Sequence, residues 1–215
     1  QVDRLRDGRS FTTRRVTAIQ NGRAIFSLEC SFQIEEEGLE HQMAAPLDVP
    51  PPESLRSQFE LLQEFGHVIP EGVHAFWSRE RPLQIKPINV EHYTSREKLP
   101  PHQSVWIRTT GAVPDERPLQ RAILAYLSDM TLLDASTFAH GRTGFDPEIQ
   151  MASLDHAMWF HRDCKLDDWL LYTQDSPNAI GARGFSRGFL YARDGTLVAS
   201  TAQEGLIRLR PKPEK

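Results

Sequence analysis

Residues 113–130 read V-P-D-E-R-P-L-Q-R-A-I-L-A-Y-L-S-D-M, and the chain beyond them is almost entirely β-rich. Leu119, Ala122, Ile123, Tyr126, Leu127 and Met130 recur at helical spacing, with Asp115 ahead of them as a candidate N-cap. The apolar positions cover more than one stripe, which predicts a helix buried on several sides. Downstream lie β-rich runs at about 149–161 and 168–175, then the pair 182–193 and 196–209 hinged on Asp194-Gly195. Upstream, 82–93 alternates apolar and polar residues as a half-buried strand does, although Pro87 argues for an edge or a bulge. Ser104 to Thr109 form another strand. One long helix followed by an antiparallel meander predicts an α+β fold, a sheet wrapped around a helix.

Residues 10–33 predict a hairpin, because Asn21-Gly22 separates two β-rich runs and a type I′ turn needs positive φ at both central positions. Acidic residues Glu35 to Glu37, then Pro46 and Pro50 to Pro52, make 34–52 a connecting segment. In 53–66, Leu55, Phe59, Leu62 and Phe65 sit at helical spacing before Gly66, which predicts a short amphipathic helix. The tail 211–215, P-K-P-E-K, reads as frayed. Setting Asn21-Gly22 on Asp194-Gly195 places Phe11 on Phe185, Ala18 on Ala192, Ile25 on Val198 and Ser27 on Ser200, with one single-residue gap. Two hairpins share such patterning for trivial reasons, so this match alone does not establish a duplication. If the halves are repeats, the first lacks its helix.

Charge is balanced, with 25 Lys+Arg against 29 Asp+Glu and a net −4. No overall basic field exists to hold nucleic acid or an anionic membrane. The apolar runs are far shorter than the ~20 residues a membrane-spanning helix needs. Cys30 and Cys164 form no spaced framework and read as free thiols of a reducing, cytoplasmic compartment.

Several motifs, collinear from about Asp3 to Arg208, carry a family resemblance. They are L-R-D-G-R-S-F-T-T-R-R-V-T-A-I-Q-N-G-R-A-I-F (5–26), A-Y-L-S-D-M (125–130), S-L-D-H-A-M-W-F-H-R (153–162), A-R-G-F-S-R-G-F-L-Y (182–191) and L-V-A-S-T-A-Q-E-G (197–205). With them the chain resembles the type II acyl-CoA thioesterases, whose chains carry two hotdog domains. The resemblance implies a double hotdog: 1–34 as the C-terminal part of a first domain lacking its N-terminal strand and helix, 35–80 as a connection, and 81–210 as a second domain. It implies hydrolysis of fatty-acyl-CoA by a directly attacking water, without cofactor or metal, in a homo-oligomer, dimer or tetramer. The family's aspartate at the end of the second helix matches Asp129, and its glutamine before Glu-Gly matches Gln203. Its threonine two residues before Asp-His is Ser153 here, which keeps the hydroxyl but loses the β-branch that stiffens χ1.

That trio makes chemical sense on its own. A thioester carbonyl needs a water held in line and relieved of a proton. A carboxylate takes the proton, while a hydroxyl and an amide fix the water's other hydrogen bonds. Backbone N–H groups at a helix N-terminus, in this fold that of the partner half, supply oxyanion donors. Plainer readings exist for each: a solvated carboxylate, a strand hydroxyl, a surface amide. Asp129 is nevertheless oddly placed, since a carboxylate near a helix C-terminus opposes the macrodipole.

Other features point less sharply. Asp155-His156 with His161 invites a metal reading, but a spacing of five puts the histidines on opposite faces of a strand, so structural hydrogen bonding is the default. Cys164 lacks a nucleophile's partners. The glycines of G-A-R-G-F-S-R-G (181–188) read as strand bulges rather than a phosphate loop. Arg162, Arg183 and Arg187 read as solvated strand residues before CoA contacts, and Trp159, Phe160, Trp169 and Phe185 as core before acyl tunnel. No G-x-S-x-G elbow occurs. Two alternatives remain open. One is an acyl-CoA hydratase on the same fold, disfavoured by the lack of an Asp-x₄-His pattern. The other is an acyl-CoA-binding or oligomerising module without turnover.

Overall fold

Strands β1 (Val2–Asp7), β2 (Phe11–Gln20) and β3 (Arg23–Gln33) form an antiparallel sheet in that order, in the computed structural model of the chain. Asn21 and Gly22 join β2 to β3 with positive φ at both positions (50° and 73°), as a type I′ turn requires. The structure describes residues 1–46, 48–67 and 71–210, without the side chain of Phe65, so the expected frayed tail lies outside the described residues. The chain divides into two compact units, Gln1–Gln42 and Met43–Lys215. The first is the three-stranded sheet and the segment after it. The sheet leaves Phe11, Ile25, Phe26 and Phe32 exposed.

The second unit builds a seven-stranded antiparallel sheet. Its strands are β4 (Leu83–Pro87), β5 (His102–Thr109), β6 (Ile149–Ser153), β7 (Ala157–Phe160), β8 (Leu170–Ile180), β9 (Arg183–Ala192) and β10 (Leu197–Leu209). Their order is β4-β5-β8-β9-β10-β6, and β7 also pairs with β10. The helices are α1 (Gln58–Phe65), α2 (Glu71–Trp77), α3 (Glu91–Thr94), α4 (Arg117–Ser128) and α5 (Ala135–Phe138). The β8-β9-β10 meander repeats the consecutive pairing of β1-β2-β3.

One face of the sheet carries the core. Leu124 and Leu127 of α4 join Ile85, Val105, Tyr172 and Leu190 in one apolar cluster, and each fully buried leucine contributes roughly 1.5–3 kcal/mol. On a second cluster, Trp106, Trp169, Leu171 and Tyr191 are covered by Ala45, Val49 and Leu55, and Trp106 Nε1 donates to the Pro50 carbonyl at 2.9 Å. The proline-rich stretch is thus a cover for part of the sheet.

Several expectations are corrected. The α4 N-cap is Glu116, not Asp115, and no side chain caps it. The helix is buried along one stripe, because a sheet touches a helix from one side: Leu124, Leu127 and Ser128 are buried, while Leu119 and Tyr126 are exposed. Helix α1 begins at Gln58, not at 53, because Ser57 is its N-cap and forms a capping box with Glu60. Leu55 precedes it and Phe59 is exposed; Leu61 and Leu62 form its buried side. The run 82–93 stops being a strand at Pro87, on the sheet's edge, and α3 follows. The run 149–161 breaks into β6 and β7 at residues 154–156, and Trp159 and Phe160 are exposed, not core.

Candidate active site

Asp129 is the C-cap of α4, and Gln203 lies on β10. Gln203 Nε2 donates to Asp129 Oδ1 at 2.6 Å, across 74 residues of sequence. A carboxylate acceptor makes this a charge-assisted bond, stronger than an amide pair. Gln203 is 1% exposed, and its Oε1 has no hydrogen-bond partner among the described residues. Its cross-strand neighbour Ser186 is likewise buried with an unpartnered Oγ. A buried polar atom without a partner costs about 1–3 kcal/mol.

Ser153 stands opposite Gly205, two residues along β10 from Gln203. Opposed residues, and those two apart, share a sheet face. Ser153 and Gln203 therefore belong to one face, with Ser153 exposed at its edge. Among the described residues no hydrogen bond joins Ser153 to Asp129 or Gln203.

Glycines let the helical segment settle on this face. A Cβ at Gly205 would collide with Leu133, and one at Gly184 with Ser136. Gly184 sits in regular pairing with β10, so it is a close-approach glycine rather than a bulge. The irregularity falls instead between Asp175 and Asn178 of β8. The end of α4 is tied down from below: Tyr172 Oη donates to the Ser128 carbonyl at 2.6 Å and meets Thr201 Oγ1 at 3.0 Å. Burial pushes the Tyr172 hydroxyl's pKa up, so it stays a donor.

The loop between β6 and β7 is pinned beside Gln203. The Glu204 amide donates to Asp155 Oδ1 at 2.8 Å, and the Leu154 amide donates to the Glu204 carbonyl at 3.0 Å. This delivers His156 to the site, with Nδ1 4.0 Å from Asp129 Oδ1 and Nε2 2.8 Å from Ser128 Oγ. Sequence reasoning set His156 aside as a structural group. Its one signal was adjacency to Asp155 two residues after Ser153, and nothing local says that it meets a helix end 28 residues earlier.

The remaining candidates fall elsewhere. His161 Nε2 pairs with Ser200 Oγ at 2.8 Å, and no cluster of potential metal ligands occurs among the described residues. Burial raises the Cys164 thiol to about 11, so it is not poised as a nucleophile. Arg183 pairs with Glu204 at 3.2 Å, Arg187 with Asp175 at 2.6 Å, and Arg162 Nη1 donates to the Leu197 carbonyl at 3.1 Å. No helix among the described residues is long and apolar enough to cross a membrane.

Comparison with solved structures places the architecture first. A hot dog fold protein of unknown function from Alicyclobacillus acidocaldarius superposes with TM-score 0.73 at 18% identity, over 98% of this chain and 72% of that one. The fold is the hotdog, in its double form. An acyl-CoA thioesterase II from Mycobacterium marinum superposes with TM-score 0.77 at 38% identity, over 97% of this chain and 73% of that one. Acyl-CoA thioesterase 2 of Haemophilus influenzae is 35% identical over 207 residues, 96% of this chain and 72% of that protein. Acyl-coenzyme A thioesterase 8 of Mus musculus is 37% identical over 219 residues, 98% of this chain and 68% of that protein. The model of the acyl-CoA thioesterase family matches residues 75–206. The chain belongs to the acyl-CoA thioesterase family, a family of thioester hydrolases.

Proposed function

We propose that this chain hydrolyses fatty-acyl-CoA to free fatty acid and CoA, and that Asp129 activates the attacking water. The observation that carries the reading is the 2.6 Å bond from Gln203 to Asp129 Oδ1, beside an unpartnered, buried Gln203 Oε1. With Oδ1 engaged, Oδ2 is the oxygen left to take a proton. A water there donates one hydrogen to Oδ2 and the other to Gln203 Oε1, and the Ser153 hydroxyl on the same face restrains its approach. As the water oxygen bonds to the thioester carbon, its proton passes to Asp129 and the carbonyl electrons move onto oxygen. Collapse breaks the C–S bond, and the proton on Asp129 passes to the leaving sulfur. No acyl-enzyme forms.

The test is thiol release from a chain-length series of acyl-CoAs, wild type against Asp129→Asn. Loss of the base is expected to cut kcat by about 10²–10⁴-fold with correct folding retained. Equal rates would remove Asp129 from the mechanism. Acyl-CoA binding without CoA release by the wild type would favour a module without turnover.

We also propose the domain division 1–34, 35–80 and 81–210 and a homo-oligomeric assembly, dimer or tetramer. Exposed apolar residues on the strands, including Trp159 and Phe160, support the assembly.

A further inference from the structure

The hydrogen-bond partners around His156 favour one protonation pattern. The Ser128 hydroxyl has one hydrogen, and two of its neighbours, the Ala125 carbonyl at 2.8 Å and the Met158 thioether at 3.7 Å, can only accept it. Ser128 Oγ therefore meets His156 Nε2, at 2.8 Å, as an acceptor, and Nε2 carries the hydrogen. A neutral His156 then turns the bare lone pair of Nδ1 toward Asp129 Oδ1, 4.0 Å away. A proton added at Nδ1 makes imidazolium and carboxylate an ion pair on the oxygen that Gln203 already engages.

We propose that His156 is a positioning residue that leaves Asp129 free to act while neutral and holds it in an ion pair when protonated, so that His156 sets the acid limb of the activity. The inference rests on Asp129 being the base. Its surroundings fit: the His156 side chain is 22% exposed, and its loop is clamped to β10 through Asp155. Among the described residues, the charged groups facing the ring are Asp129 from the end of α4 and Asp155 beside it on the loop; β7 contributes the thioether of Met158, 3.7 Å from Ser128 Oγ. Burial outweighs the two carboxylates and holds the imidazole below its ordinary 6.5, so the neutral form prevails at neutral pH. Activity is expected to fall as pH drops through that lowered value.

The experiment measures kcat and kcat/KM against pH for wild type, His156→Gln and Asp129→Asn, with 15N NMR of the wild-type imidazole. A glutamine can still reach Ser128 but does not titrate. In His156→Gln the acid limb is expected to move down by about one pH unit, toward the carboxylate range, and kcat at the optimum to fall within about tenfold at unchanged KM. An unchanged acid limb in His156→Gln, with Asp129→Asn inactive, would overturn the role of His156 alone. Full activity in Asp129→Asn would overturn the reading of Asp129 itself. The 15N spectrum needs no variant to fold: an Nε2–H tautomer at neutral pH is expected, and an Nδ1–H tautomer or an imidazolium there refutes the proposal.

Discussion

Asp134 is a buried carboxylate one short turn beyond Asp129, and its surroundings decide its charge. Tyr93 Oη lies 3.2 Å from Gln103 Oε1 and 3.4 Å from Asp134 Oδ2, yet it has one hydrogen to give. A protonated Asp134 resolves the conflict by donating to Tyr93, which then donates to Gln103. Gln103 Nε2 in turn donates to Gln174 Oε1 at 2.6 Å, and Gln174 Nε2 donates to Thr131 Oγ1 at 2.6 Å. Burial is the main cause that raises Asp134 to about 7 from an ordinary 3.8, with the Tyr93 bond opposing it. Between those values the folded chain holds a proton that the unfolded chain has released. The stabilisation is complete below about pH 4 and is lost as pH rises through about 7. Asp134→Asn is expected to flatten that slope and to be the more stable protein at pH 8, as urea denaturation at pH 4.5 and pH 8 will show. None of this was legible locally, since Asp134 in the sequence is one acid in an apolar stretch. Its neutrality comes from burial in the folded chain, which also brings it beside Tyr93, 41 positions away.

At the scale of elements, the site depends on how closely the segment after α4 can approach β9 and β10. Gly205 faces Leu133 with no room for a side chain. Gly205→Ala is expected to cost about 1–3 kcal/mol by overpacking, read as a lower urea midpoint at unchanged slope. It is also expected to lower thiol release, because Leu133 and Asp129 ride on the same short connection. Adding Leu133→Ala should recover part of both losses. Periodicity gave the existence of α4 and of β8, β9 and β10, because helix and strand formation are local. It missed which stripe of α4 is buried, and it read Gly184 as a bulge. A glycine required for approach leaves the same trace in sequence as one required for a bend; only the neighbour distinguishes them.

At the scale of the molecule, each 24.5 kDa chain presents apolar side chains to solvent, among them Phe26 (56%), Trp159 (54%) and Ile180 (70%). Light scattering after size exclusion is expected to report a dimer or larger; a stable monomer at micromolar concentration would count against the proposed assembly. The sequence by itself determined the hairpin at Asn21-Gly22, a helix over the stretch that contains Asp129, the antiparallel meander after it and the family, all carried by short-range patterns and collinear motifs. The tertiary structure alone decided what touches Asp129: Gln203 from 74 residues away, His156 from across a broken strand, and a helix end anchored by Tyr172. Local propensity acts over a few residues, whereas these contacts exist because a packed core leaves the chain one way to bring its glycines under Leu133 and Ser136.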